Sequence, residues 1–266
     1  MKQEYKAYFI DLDGTMYMGK NRIPSAEEFI ARLQAKDIPF LFVTNNATKT
    51  TQQVADKLHN HYHTTVEAQQ VYTSAVASVD YLLEHHPGAK IFLLGSESLA
   101  GQLVEAGFTL VDENPDVVLQ SLDSKVDYQK LETATLAIRN GADFIVTNID
   151  SNIPNEKGLC PGSGATTAFL KCSTGQEPVV IGKPSAIIME GALHHLNEQL
   201  KAEGKATLTK DEIVMVGDNY TTDIMAGVNF EMDTLMVLTG FSDRDDLLAV
   251  EAQPTHIVSD LTKWEL

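Results

Sequence analysis

The sequence predicts an α/β protein in which short parallel strands are joined by crossover helices. Three observations predict it. Short apolar runs alternate with longer segments of helical period along the chain. The apolar runs are continuous rather than alternating, as strands covered on both faces should be. Several helical segments open on a Ser or Thr that can cap the first free N–H groups. In order, strand 7–10 is followed by helix 25–34, strand 40–43 and helices 51–59 and 74–84. Strand 90–94, helix 98–106, strand 117–119, helix 128–139, strand 144–146 and helix 165–172 come next. Strand 179–181, helix 186–199, strand 213–216, helix 222–228 and strand 234–237 complete the pattern. Residues 201–210, with Gly204, read as a helix end and loop. No repeat, low-complexity tract or Pro/Gly/Ser linker marks a domain boundary.

The 266 residues suit one large domain or two modest ones, and 43% hydrophobic with 21% charged residues is ordinary globular composition. Twenty Lys and Arg against 37 Asp and Glu give a formal charge of −17. So acidic a surface repels phosphate backbones and anionic headgroups, so neither nucleic acid nor membrane is expected as a partner. A small anion held in a local positive pocket stays compatible. Two cysteines without CxxC spacing suit a reducing compartment. Glu4 and Asp11 interrupt the opening segment where a secretory signal needs an apolar run, and no stretch reaches the roughly 18 apolar residues of a membrane span. A soluble, cytoplasmic protein is expected, as monomer or homodimer.

Four strand ends carry polar residues that a buried strand does not need. They are Asp11-Leu12-Asp13-Gly14-Thr15, Thr44-Asn45-Asn46, Gly182-Lys183-Pro184 and Gly217-Asp218-Asn219, the last followed by Asp223. Ligands of open α/β sheets bind beyond the carboxyl ends of the strands, so all four groups are expected in one crevice. Two carboxylates about 4 Å apart repel by roughly 4 kcal/mol at an effective dielectric near 20. A hard divalent cation removes that cost, and oxygen donors without His or Cys favour magnesium over zinc. Such a floor suits a phosphoryl electrophile. Asp11 can attack phosphorus, Lys183 and the metal can neutralise phosphoryl oxygens, and the Thr44 hydroxyl can hold another. Asp13 can protonate the leaving alkoxide and then activate water.

In order, these four segments resemble motifs one to four of the haloacid dehalogenase-like hydrolase superfamily. The resemblance implies Asp11 as nucleophile and metal ligand, and Asp13 as general acid/base whose carbonyl also binds metal. It implies Thr44 and Asn45 on phosphate, Lys183 as cationic clamp and Asp218 as metal ligand, with Asp223 and Asn219 behind them. Asp223 would act through metal-bound water or by orienting Lys183.

Only 33 residues separate Asp11 from Thr44, but 139 separate Thr44 from Lys183. A smaller α/β cap domain is therefore expected within a Rossmann-like parallel-sheet core: core 1–79 and 182–266, cap 80–181. This layout resembles the NagD-like and p-nitrophenylphosphatase-like enzymes, and Thr147-Asn148-Ile149-Asp150 resembles their cap segment facing the active site. Thr147, Asn148 and Asp150 become candidate substrate contacts. The cap cations Lys90, Lys125, Lys130, Arg139, Lys157 and Lys171 do not cluster, so a second substrate phosphate is not expected.

The expected function is a magnesium-dependent phosphatase acting on small phosphorylated metabolites, sugar phosphates first, through an aspartyl-phosphate. A sugar-phosphate phosphotransferase or phosphomutase is the enzymatic alternative, and a non-catalytic phosphometabolite-binding protein is the other. The 33-residue spacing, too short for a helical cap, counts against a mutase, and the intact Asp11 and Asp13 count against a mere binder. The histidines at 59, 61 and 63 read as surface residues rather than a metal site. Gly162-Ser163-Gly164 reads as a tight helix entry, and Trp264 as a packing anchor.

Overall fold

The run Ala7–Ile10 is buried at every position and forms strand β1. Its continuous apolar character is that of an interior strand of a parallel sheet. A tight hairpin follows, β2 (Tyr17–Met18) and β3 (Asn21–Arg22), then α1 (Pro24–Ala35), β4 (Phe40–Thr44), α2 (Thr51–Tyr62) and β5 (Val71–Thr73). Next come α3 (Ser74–His85), β6 (Lys90–Leu94), α4 (Glu97–Glu105), β7 (Thr109–Leu110), β8 (Val117–Gln120) and α5 (Tyr128–Arg139). After them lie β9 (Asp143–Val146), β10 (Asn152–Asn155), β11 (Gly158–Pro161), α6 (Ser163–Thr174) and β12 (Val179–Val180). The chain ends with α7 (Ala186–Ala202), β13 (Ile213–Gly217), α8 (Met225–Asn229), β14 (Asp233–Val237) and β15 (His256–Val258). The computed structural model describes residues 4–155 and 158–266.

The chain forms two units, Met1–Thr44 with Thr51–Tyr72 and Lys183–Leu266, and Asn45–Thr50 with Thr73–Gly182. The first is built on a six-stranded sheet of order β15-β14-β13-β1-β4-β5. Its core gathers Tyr8, Phe29, Phe42, Val216 and Leu235, and Trp264 packs there, its ring stacked on Tyr5 at 6.3 Å. The second is built on a five-stranded sheet of order β12-β9-β8-β6-β7, with Phe92, Val118, Phe144 and Leu170 in its core. Both sheets pair parallel wherever register is defined.

The unit boundaries differ from the expected division at segment 45–50, at residues 73–79 and at Gly182. Segment 45–50 and helix α3 group with the second unit, because the Asn45 carbonyl accepts from Ser74 Oγ and Asn148 Nδ2 and the Ala47 carbonyl accepts from Ser96 Oγ. The run 179–181, inside the expected cap 80–181, supplies β12 to the second unit's sheet, Val180 opposite Val146 of β9, so Lys183 does not follow a strand of the first sheet. Helix 222–228 starts two residues early as a π-helical turn, Tyr220–Ile224, that runs into α8. Among the described residues no helix is long and apolar enough to cross a membrane.

Candidate active site

Strand β1 is the switch point of the first sheet: the chain continues from it to β4 and β5 on one side and places β13, β14 and β15 on the other. Ligand crevices open at such a point, beyond the carboxyl ends of the strands. Ile10 lies opposite both Phe42 and Val216, and the Asp11 amide donates to the Val216 carbonyl at 2.9 Å. Asp11, Thr44 and Asp218 therefore end three adjacent strands. All three are buried.

Lys183 reaches this cluster from the loop before α7 rather than from a strand of this sheet. Lys183 is 1% exposed, and its ammonium lies 2.5 Å from Asp11 Oδ1 and 2.7 Å from Asp223 Oδ1. Asp223 is held in turn by the Asn219 amide at 3.0 Å, while the Asn219 side chain caps the π-helical turn by accepting from the Thr221 amide at 3.0 Å. Asp218 accepts from Thr15 Oγ at 3.0 Å and from the Phe241 amide at 2.7 Å.

Glycines let these acids sit so close to the backbone. A Cβ on Gly14, whose φ is +97°, would lie 2.1 Å from Asp218 Oδ2, and one on Gly240 would lie 2.0 Å from it. A Cβ on Gly217 would lie 2.2 Å from the Asp223 Cβ. Thr239 Oγ donates to the Gly14 carbonyl at 2.9 Å and ties the two loops together. The motif showed Thr15 and Gly14, but nothing in the sequence linked Thr239, Gly240 or Phe241 to Asp218.

Carboxylate oxygens of Asp11, Asp218 and Asp223 lie within 4.8 Å of one another. With all three acids ionised, one ammonium would leave two negative charges uncompensated. Burial first, then the Asp223 charge, pushes Asp11 well above the ordinary carboxylate range, against the pull of Lys183. Burial and then Asp223 push Asp218 up to about 6, while the Phe241 amide and the Thr15 hydroxyl pull it down. Burial opposes the Lys183 charge, but Asp11 and Asp223 outweigh it and hold the ammonium above its usual range. An all-oxygen, buried donor set with this charge deficit fits a hard divalent cation. Among the described residues no histidine joins it.

Asp13 lies in the same turn but is exposed. Tyr17 Oη donates to its Oδ2 at 3.4 Å. Burial, then the charges of Asp13 and Asp11, hold the Tyr17 phenol above its usual range, so it stays a neutral donor.

The remaining candidates lie within the second unit. Thr147 is 0% exposed, and its hydroxyl donates to Ser121 Oγ at 2.9 Å. It directly follows β9 and is buried. Asn148 is 5% exposed, and its amide donates to the Asn45 carbonyl at 2.9 Å. Asn45 Nδ2 donates to Asp150 Oδ1 at 3.0 Å, so Asn45, Asn148 and Asp150 tie segment 45–50 to the end of β9. Gly162 and Gly164 let the start of α6 approach the carbonyls of Asp150 and Ile149, which a Cβ would meet at 2.2 and 2.3 Å. Of the cap cations, Lys157 lies outside the described residues. Lys125 pairs with Glu97, Lys130 with Asp123 and Lys171 with Glu177.

Residues 8–109 match the model of a haloacid dehalogenase-like hydrolase family, and residues 180–264 match a HAD-hydrolase-like model. The chain is 48% identical over 264 residues to an acid sugar phosphatase of Staphylococcus aureus (strain USA300), covering 99% of this chain and 97% of that one. It is similar in structure to a double mutant of the thermostable NPPase from Geobacillus stearothermophilus, with 44% identity, a TM-score of 0.89 and 99% of each chain covered. It is also similar to NagD from E. coli K-12, with 30% identity, a TM-score of 0.88 and 98% and 99% of the two chains covered. The motif order, the buried acid–lysine cluster and these matches agree: the chain belongs to the haloacid dehalogenase-like hydrolases, in their NagD-like branch.

Proposed function

We propose that this chain is a magnesium-dependent phosphatase that hydrolyses small phosphomonoesters, sugar phosphates among them, through an aspartyl-phosphate on Asp11. The observation that carries the reading is the Lys183 ammonium buried between Asp11 and Asp223 with Asp218 alongside, an arrangement whose negative charge is only partly balanced. A purely structural ion pair has no use for that surplus, because unpaired buried charge destabilises a fold. The 48% identity to an acid sugar phosphatase supports the substrate class.

The roles follow from where each group sits. Magnesium held by Asp11, Asp218 and the Asp13 carbonyl would supply positive charge to the phosphoryl oxygens. Lys183 fixes one Asp11 oxygen and presents its own charge to the same group, and Asp223 keeps Lys183 aimed. Thr44, buried at the end of β4, offers a hydroxyl to a phosphoryl oxygen. The Asp11 carboxylate attacks phosphorus, the ester P–O bond breaks, and Asp13 delivers its proton to the leaving alkoxide. Asp13 then takes a proton from water as that oxygen attacks phosphorus. The bond to Asp11 breaks, and inorganic phosphate leaves with the Asp11 carboxylate restored.

The test is release of inorganic phosphate from p-nitrophenyl phosphate and a panel of sugar phosphates, with magnesium and with a chelator. Magnesium-dependent release is expected. Release no greater than that of Asp11→Asn overturns the reading.

A further inference from the structure

Asp13 is exposed, and a carboxylate that must deliver and collect a proton needs its direction fixed. Two residues past Thr15, Tyr17 is 3% exposed although its hydroxyl reaches that carboxylate. Its backbone is part of the same turn: Tyr17 bridges Asp13, and the Gly14 amide donates to the Tyr17 carbonyl at 2.7 Å. Its ring is held from helix α2. Tyr62 stacks on it at 4.2 Å with 14° between planes, and Tyr62 Oη donates to the Gly19 carbonyl at 2.6 Å, pinning the β2–β3 hairpin. The Lys57 ammonium lies 3.9 Å from the Tyr17 ring centroid. A cation over a phenol ring draws electron density from it and makes the hydroxyl a stronger donor.

We propose that Tyr17 is a positioning residue for Asp13: its hydroxyl, fixed by the Tyr62 stack and the Lys57 cation, holds one carboxylate oxygen so that the other faces the leaving group. This rests on the phosphatase reading above and adds to it. The 3.4 Å contact is long for O–H···O, as hydrogen bonds of catalytic groups often are without substrate. The stack fixes the hydroxyl even so, because it locks the ring rather than the oxygen.

The experiment compares kcat on a sugar phosphate, whose alkoxide needs a proton to leave, with kcat on p-nitrophenyl phosphate, whose phenolate scarcely does. Tyr17→Phe keeps the ring and removes only the hydroxyl. It is expected to lower kcat on the sugar phosphate by about tenfold and on the nitrophenyl ester by less than about twofold, with KM unchanged. In an Asp13→Asn background the same change should have no further effect, since the oxygen it orients no longer carries a proton. Thermal melting of each variant separates loss of fold from loss of aim. Equal losses on both substrates, or additive losses in the double variant, overturn the proposal and leave the phosphatase reading standing. A wild-type chain that releases no phosphate overturns both.

Discussion

Each unit buries a polar cluster at the carboxyl ends of its parallel strands, and the two clusters differ in one respect. In the second unit Gln120, at the end of β8, donates to Ser163 Oγ and to the Ser121 carbonyl, both at 2.9 Å, and accepts from Thr167 at 2.5 Å. Thr147 closes the network on Ser121. Every member is neutral, and donors meet acceptors. In the first unit Asp11, Asp218, Asp223 and Lys183 are as deeply buried, yet with all three acids ionised they would carry two more negative charges than positive ones. A satisfied neutral network rigidifies its surroundings and asks for nothing more. A buried charge surplus costs stability until a cation arrives, and it marks where chemistry happens.

The largest effect expected from this contrast is that of Asp11→Asn, which should lower phosphate release by at least about 10³-fold, since no carboxylate remains to attack phosphorus. Steady-state kinetics with magnesium present checks it, and retention of a tenth of the activity would break the assignment. Lys183→Met should come next. It strips the ammonium that pairs with Asp11 and Asp223, should destabilise the metal-free protein by about 3–5 kcal/mol in urea, and should lower kcat by about 10²-fold or more. Excess magnesium should restore part of the stability and little of the rate.

Gln120→Met should behave in the opposite manner. Leaving Thr167 and Ser163 without their partner should cost about 1–3 kcal/mol of stability while kcat stays within about twofold. A large kcat loss there would erase the distinction between the two clusters.

The smallest effect concerns pH. Asp218, held up to about 6 by burial and then by Asp223, binds its proton more tightly folded than unfolded. Its contribution to the stability of the metal-free protein is therefore greatest below the ordinary carboxylate range and is lost as pH rises through about 6. Magnesium must displace that proton, so the rise in Tm that it produces should be larger at pH 7 than at pH 5. Melting curves with and without magnesium at the two values check the sign.

Much of the first cluster was legible because its residues follow directly on apolar strands. Asp11 after Ala7–Ile10, Thr44 at the end of Phe40–Thr44 and Asp218 after Ile213–Gly217 are placed by local pattern plus the strand-end rule. Lys183 was placed at the cluster for a partly mistaken reason. A short apolar run does not say which sheet it joins, and β12 pairs with β9. Strands β5, β7 and β15, of two or three residues, were too short to show a period. A strand-end threonine such as Thr147 looks the same in sequence whether its hydroxyl meets substrate or Ser121, to which it donates here. Tyr17 carried no signal in the sequence, since its partners Lys57 and Tyr62 lie some forty residues away.

By itself the sequence determined the α/β class, the interruption after Thr44 and the acids and lysine of the site, because strand burial, helix period and motif spacing are written in neighbouring residues. Tertiary structure alone decided what each of those groups touches. That Lys183 bridges two aspartates, that glycines 14 and 240 cradle Asp218, and that Tyr17 reaches Asp13 from a locked ring all depend on contacts between distant segments. No local pattern encodes the distance between two side chains that only folding brings together.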